Sequence, residues 1–149
     1  MIYLRNNRGV AAVELAFCLP ILIVLVFGSI EFGLLFYNQQ VITNASREGA
    51  RAGITGIGVD AIKNIVLTYC NHNEGPEDNE LINLNGSDEL QSDLITIPDA
   101  DEDNVPDLDA ENNLTVSVSY KYNFLIGSML GVLGFTDLTL SAQTVMRME

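Results

Sequence analysis

The sequence has few of the residue types on which catalytic and metal sites depend. It contains one histidine, two cysteines and no tryptophan. It also shows no phosphate-binding glycine loop, no cysteine-rich metal motif and no pattern that would support a Ser-His-Asp triad. We therefore predict that the protein is not an enzyme and that it has no firm cofactor.

The two cysteines are too few for a disulfide scaffold. Cys18 lies in a long apolar segment near the start of the chain, and Cys70 lies in the more polar part that follows. A bond between them would be geometrically awkward. We interpret Cys70 as a buried, small apolar residue, with a free thiol or an intermolecular bridge as the alternative.

Positive charge is scarce beyond residue 54. Only three of the lysines and arginines lie there, against seventeen of the twenty acidic residues. A phosphate backbone would repel this part of the chain, which argues against nucleic-acid binding. Anionic lipid headgroups would repel it as well.

A long apolar segment predicts one membrane span. Residues 1–9, MIYLRNNRG, carry Arg5 and Arg8 and no acid, which favours a cytoplasmic location for this end and export of the rest. Residues 10–37 are apolar apart from one serine and two glutamates. As a helix they reach roughly 42 Å, enough to cross a bilayer, and we place the span at about residues 15–37.

Two cleavable signals compete with this interpretation. A secretory signal has an apolar region of about 7–15 residues that ends at small residues, whereas this segment is longer and contains carboxylates. A lipoprotein signal ending at Cys18 needs a small residue where the chain has Phe17. Both alternatives fit less well than a retained membrane helix.

The first helix is predicted to continue beyond the membrane over residues 38–53. Ala45, Gly49 and Gly53 form a row of small residues, which would let another helix approach closely. Apolar residues at helical spacing predict a second helix from Val59 to about Tyr69.

Two alternating segments predict an antiparallel sheet. Leu114–Phe124 and Leu138–Met146 alternate apolar and polar residues, so each has one buried and one wet face. We expect them to pair and to lay their apolar faces on the amphipathic part of the first helix. A short strand at Leu94–Ile97, stopped by Pro98, is predicted within an acidic surface excursion over residues 74–111.

Two carboxylates lie within the apolar segment. Glu14 is five residues after Gly9, and a charge this deep costs several kcal/mol unless it meets water, a cation or a partner. We interpret Glu14 as functional, with a carboxylate wetted at the cytoplasmic interface as the alternative. Glu31 falls on a different side of the helix, and we interpret it as a bland carboxylate at the outer interface, with a second pairing charge as the alternative.

Three motifs follow one another in the first fifty or so residues: RGVAAVELAF, LPILIVLVFGSIEFG and NASREGARAG. Together with the closing SAQTVMRME, they resemble type IV prepilins, and more closely the TadE-like minor pilins or pseudopilins of tight-adherence (Flp pilus) systems. Major pilins of this kind usually have tyrosine where this chain has Leu15, and they lack a large globular domain. Both departures favour a minor component over the bulk subunit of the fibre.

The resemblance implies cleavage by an inner-membrane prepilin peptidase between Gly9 and Val10. Val10 would become the new N-terminus, and Glu14 would pair with the N-terminal amine of a neighbouring subunit, which cancels two charges in lipid. The implied partners are the peptidase, membrane lipid, other pilins or pseudopilins and the inner-membrane assembly platform. The N-terminus would be cytoplasmic, and the domain periplasmic or extracellular, in the membrane or in a pilus.

The predicted fold class is α+β, with a pilin-like order of elements. Residues 1–9 form the leader, residues 10–53 the N-terminal helix, and residues 54–149 an acidic extracytoplasmic domain with a short helix and an antiparallel sheet. The alternative is a single-pass membrane-anchored adhesin or binding protein, in which Glu14 is incidental.

Alternating acids also suggest a weak calcium site. The candidate ligands are Asp99, Asp101, Asp103, Asp107, Asp109 and Glu111. An EF-hand loop starting at Asp99 would need glycine and glutamate at the positions of Asn104 and Ala110. A solvated acidic loop is therefore the alternative to calcium binding.

Overall fold

The computed structural model describes residues 8–71, 90–99, 102–124 and 137–147. The helices are α1 (Arg8–Gly53) and α2 (Val59–Asn71), and a short 3-10 turn covers Ser92–Leu94. The strands are β1 (Ile95–Thr96), β2 (Asn113–Asn123) and β3 (Asp137–Arg147). This composition confirms the predicted α+β class. Residues 1–7 of the predicted leader, and much of the acidic excursion, lie outside the described residues.

The three strands form one antiparallel sheet in the order β1-β2-β3. Every second residue of β2 points into the core, as the alternating pattern predicts. The inward residues of β2 are Leu114, Val116, Val118, Tyr120 and Tyr122. The pairing runs from Asn113 opposite Arg147 to Asn123 opposite Asp137, so the prediction of two paired strands is confirmed.

The predicted short strand is confirmed only in part. β1 consists of Ile95 and Thr96, whereas Leu94 closes the 3-10 turn and Ile97 follows the strand. β1 pairs with Val118 and Ser117 of β2. Ile95 and Ile97 are both buried. The segment therefore still packs on the core at Ile97, after strand pairing has ended.

The row of small residues on α1 is where the rest of the domain approaches most closely. A Cβ added to Gly49 would lie 2.6 Å from Cγ2 of Val66, and one added to Gly53 would clash with Leu114 and Ile62. Close approach therefore requires glycine at both positions. The predicted helix contact is made by α2, and the sheet occupies the same row.

α2 packs through one apolar face, and Asn104 caps its start. Ile62, Val66 and Cys70 are fully buried on α2, at the helical spacing that the sequence shows. The backbone N–H of Asp60 donates to Oδ1 of Asn104 over 2.8 Å, and the N–H of Val59 donates to the Asn104 carbonyl over 3.1 Å. Two of the N–H groups that a helix start leaves unpaired are thus satisfied.

Cys70 lies where the sequence places it, in the apolar core. Burial raises the pKa of its thiol to about 12, because the low dielectric of the core disfavours the thiolate. The thiol is therefore protonated and unreactive near neutral pH. This confirms Cys70 as a small apolar core residue in the described structure.

The contacts between α1 and the sheet fix the direction of each strand. β2 runs opposite to α1, because Leu114 at its start approaches Gly53 and Tyr122 near its end reaches Glu31. β3 runs in the same direction as α1, since it is antiparallel to β2. One end of the sheet, formed by the end of β2 and the start of β3, therefore lies beside the middle of α1. The other end lies beside the end of α1.

Candidate assembly helix and its junction with the sheet

α1 is long and apolar enough to cross a membrane. Its most apolar stretch has a mean hydropathy of 2.7, and none of that stretch is buried inside the protein. Apolar side chains point outward on all sides of the helix, as expected for a segment that meets lipid or other helices. The most exposed large ones are Val10, Leu15, Phe17, Ile21, Leu22, Val24, Leu25, Phe32 and Phe36.

The predicted processing and assembly residues lie at the start of this exposed half. Gly9 would have no atom within 4 Å of an added Cβ, and Val10 is 60% exposed. Glu14 is also exposed. Val10 and Glu14 are four residues apart and share one face of the helix. No described part of the chain covers this face, so both residues are accessible to a partner.

Glu31 is the first described residue of α1 that the domain buries, although Phe32 and Phe36 beyond it are still exposed. Its carboxylate is 5% exposed, and Oε1 accepts a hydrogen bond of 2.6 Å from the Tyr122 hydroxyl. The interpretation of Glu31 as a bland carboxylate is wrong, because the side chain joins α1 to the end of β2. Burial and the bond to Glu31 together raise the pKa of Tyr122, so the phenol keeps its proton and acts as the donor.

Beyond Glu31, polar contacts continue along the face of α1 that meets β3. The Gln39 amide donates to the Ser141 carbonyl over 3.0 Å, and the hydroxyls of Ser46 and Thr144 lie 2.8 Å apart. Ser46 also donates to the Thr43 carbonyl over 2.9 Å. These bonds satisfy polar groups that burial would otherwise penalise. They hold the second half of α1 in one register against the sheet.

The acidic residues proposed as calcium ligands are placed in part only. The described residues contain no group of three acidic, cysteine or histidine side chains that could hold a metal ion, and Asp101 lies outside them. Asp109 accepts bonds from the backbone of Glu111 and from Asn113, and these bonds lower its pKa, Asn113 most strongly. Asp103 accepts from the N–H of Val105. Calcium binding stays a prediction. Calorimetry with millimolar calcium tests it, and the absence of a heat of binding would refute it.

The fold and the exposed helix fit a class of protein that a single N-terminal helix anchors in a membrane. The family model of the TadE-like proteins matches residues 9–51, which is most of α1. This match confirms the resemblance noted in the motifs and is consistent with a TadE-like protein of a tight-adherence pilus system. No curated protein and no solved structure matches the chain.

Sequence reasoning missed the polar contacts that tie α1 to the sheet. Glu31 and Tyr122 are ninety-one positions apart, and neither residue has a local pattern that names the other. One signal was available: Tyr122 is on the apolar face of its strand, and a buried phenol usually needs a hydrogen-bond partner. The same reasoning does not reach Gln39, because its partner is a backbone carbonyl.

Proposed function

We propose that the protein is a minor pilin or pseudopilin that takes part in the assembly of a tight-adherence pilus. In this proposal, a prepilin peptidase cleaves the chain after Gly9, and α1 carries the processed protein in the inner membrane. The domain beyond the span is periplasmic or extracellular. The role is structural, in line with the pilus-associated TadE-like family, rather than enzymatic.

One observation carries the proposal. The family match begins at Gly9 and covers a helix whose first half is apolar and exposed, with a single carboxylate five residues after that glycine. A helix that only anchors the protein in lipid needs no charge at this depth, because an ionised side chain in lipid costs several kcal/mol. A partner cation would offset that cost, and cleavage would create one at the Val10 amine of a neighbouring subunit.

Glycine before the cleavage point also suits proteolysis at the membrane surface. A residue without a side chain lets an extended backbone enter a protease site. Arg5 and Arg8 favour the cytoplasmic side for this bond. The expected partners are therefore the peptidase, neighbouring pilins through α1, lipid and the assembly platform of the inner membrane.

The proposal is tested by replacing the charge of Glu14 alone. In a bacterium that lacks its own copy, the full chain with Glu14→Gln should still reach the membrane but should fail to restore pili. The measure is piliation by electron microscopy, with protein level in membrane fractions measured in parallel. The variant keeps the size of the side chain and removes only the partner for the amine.

Glu48→Gln is the matched control, since it makes the same chemical change on the same helix, at a side chain that is 38% exposed and paired with Arg51. It should restore pili as the unaltered chain does. Normal piliation with Glu14→Gln would contradict the proposal and favour an anchored binding protein.

A further inference from the structure

We propose that the end of the sheet beside Glu31 seats on the outer surface of the bilayer, with Phe124 and Leu138 in contact with lipid. We call this end, made of Tyr122, Phe124 and Leu138, the proximal end. The opposite end, beside Gly53, is the distal end. The inference rests on the proposed membrane insertion of α1 and adds to it a second lipid contact, made by the sheet.

The length of α1 places the proximal end at the height of the outer boundary. A span that starts at Val10, directly after the basic residues, crosses the hydrocarbon core of about 30 Å in about 20 helical residues and so ends before the expected limit of about residue 37. Glu31 is the twenty-second residue counted from Val10. Its bond of 2.6 Å to Tyr122 then holds the end of β2 at this boundary.

The proximal end has the composition of a membrane interface. Phe124 is half-buried and stands edge-on to Tyr122, with ring centroids 5.6 Å apart. Leu138 is 41% exposed although it lies on the core side of β3. Exposed apolar surface of this kind beside a membrane span fits contact with lipid. The polar groups at this end are the Glu31 carboxylate and the Tyr122 hydroxyl, and they bond to each other.

The segment between the two strands supports the same orientation. Its sequence over residues 125–136, LIGSMLGVLGFT, contains no charged residue. Both of its ends, at Phe124 and Asp137, are fixed at the proximal end by the last pair of the ladder, Asn123 with Asp137. The described residues on either side of this uncharged sequence, Phe124 and Asp137, therefore both lie at the proximal end.

The distal end carries more acidic residues than the proximal end, which contains Asp137, although Arg147 also lies at the distal end. Asp109 and Glu111 immediately precede β2, and the Asn104 that caps α2 lies among further acids in the sequence. Anionic headgroups repel these residues, and the repulsion decays over a Debye length of about 8 Å at physiological salt. The length of β2, about 36 Å for eleven residues, keeps the acidic end well beyond that range. The acidic residues of the distal end and the apolar surface of the proximal end therefore both favour seating of the proximal end on the bilayer.

Single tryptophans test the inference, because the natural chain contains none. The full chain is placed in phosphatidylcholine vesicles whose acyl chains carry bromine near the headgroup, and the loss of tryptophan emission is measured. Leu138→Trp is the test variant, and Phe124→Trp is a second one on the neighbouring strand. Val145→Trp is the control on the same strand, since Val145 is 54% exposed, lies on the opposite face of the sheet from Leu138 and is about 23 Å further along the strand. Phe27→Trp reports on the span itself.

We expect several-fold stronger quenching for Leu138→Trp and Phe124→Trp than for Val145→Trp, and strong quenching for Phe27→Trp. Equal, weak quenching of Leu138→Trp, Phe124→Trp and Val145→Trp beside strong quenching of Phe27→Trp would overturn the inference. It would mean that the proximal end does not contact lipid, while insertion stands. Weak quenching of Phe27→Trp as well would instead overturn the membrane insertion on which the inference depends.

Discussion

The two halves of α1 differ in which side chains they bury, although they belong to one continuous helix. The half before Glu31 exposes its large apolar side chains on all sides, whereas the half from Glu31 onward buries one face, which contains Ile42 as well as polar and small residues, and still exposes Phe32 and Phe36. Glu31, Asn38 and Ser46 are all 5% exposed or less, and Ile21 and Leu22 are more than 60% exposed. Hydrophobicity alone therefore does not decide what this chain buries in itself. The first half is built for a medium or a partner outside the chain, and the second half for its own domain.

The largest difference between the halves should appear when the same residue type is truncated in each. Ile42→Ala should cost about 2–5 kcal/mol of unfolding free energy, because Ile42 is fully buried and its removal leaves a cavity. Ile21→Ala, at 64% exposure, should leave the domain's unfolding midpoint unchanged. Thermal unfolding of the full chain in detergent, followed by circular dichroism, measures both. Equal losses would contradict the division of the helix.

The boundary between the halves can be tested through Tyr122. Tyr122→Phe removes the donor of the 2.6 Å bond to Glu31, and taking the partner from a buried polar group costs about 1–3 kcal/mol. Glu31→Ala in the same background should then cost much less than it does alone. A double-mutant cycle on the unfolding midpoint measures this coupling. Additive effects would show that the two side chains do not stabilise each other.

Two glycines sharpen the comparison further. Gly49→Ala should destabilise the domain relative to Gly28→Ala by about 1–3 kcal/mol, because overpacking outweighs the gain in helix propensity. The added methyl would meet Val66 at 2.6 Å in the first case and nothing within 4 Å in the second. Unfolding midpoints of the two variants are compared under identical conditions. A stabilised Gly49→Ala variant would show that α2 does not pack as closely as described.

The smallest effect is expected at the surface of the second half. Arg51 forms an ion pair with Glu48, and the bond lowers the pKa of that carboxyl. Any stabilisation is therefore present above the ordinary glutamate pKa and is lost as the pH falls through the lowered value. Both side chains are exposed, so Glu48→Gln should not measurably change the unfolding midpoint at pH 7. A clear loss that vanishes at low pH would show that the pair is less solvated than its exposure indicates.

Periodic features of the sequence predicted the elements and their pairing well. The alternation in β2 and β3 and the spacing of Ile62 and Val66 describe faces, and a face reports local structure. The row of small residues, Ala45, Gly49 and Gly53, correctly predicted a close contact, because only small residues permit one. Contacts that depend on single pairs across the fold, such as Glu31 with Tyr122 and Gln39 with Ser141, have no periodic signal. For that reason the role of Glu31 was misjudged while that of Cys70 was not.

The prediction at Gly9 and Glu14 has a different basis. It comes from a family resemblance, and the match over residues 9–51 supports the resemblance without testing the processing step. Physical reasoning adds that Glu14 needs a partner and that none of the described residues covers it. The described fold therefore leaves this end of α1 accessible to other molecules. What Glu14 pairs with has to be measured on the processed protein.

Mass spectrometry of the mature N-terminus tests the central claim most directly. The full chain is co-expressed with a prepilin peptidase from a tight-adherence locus, beside Gly9→Leu and the matched control Gly28→Leu, a second helix glycine with open space around it. We predict a start at Val10 in the unaltered chain and in Gly28→Leu, and no cleavage in Gly9→Leu. An intact Met1 in all three chains, or cleavage near Ala45, would contradict the account.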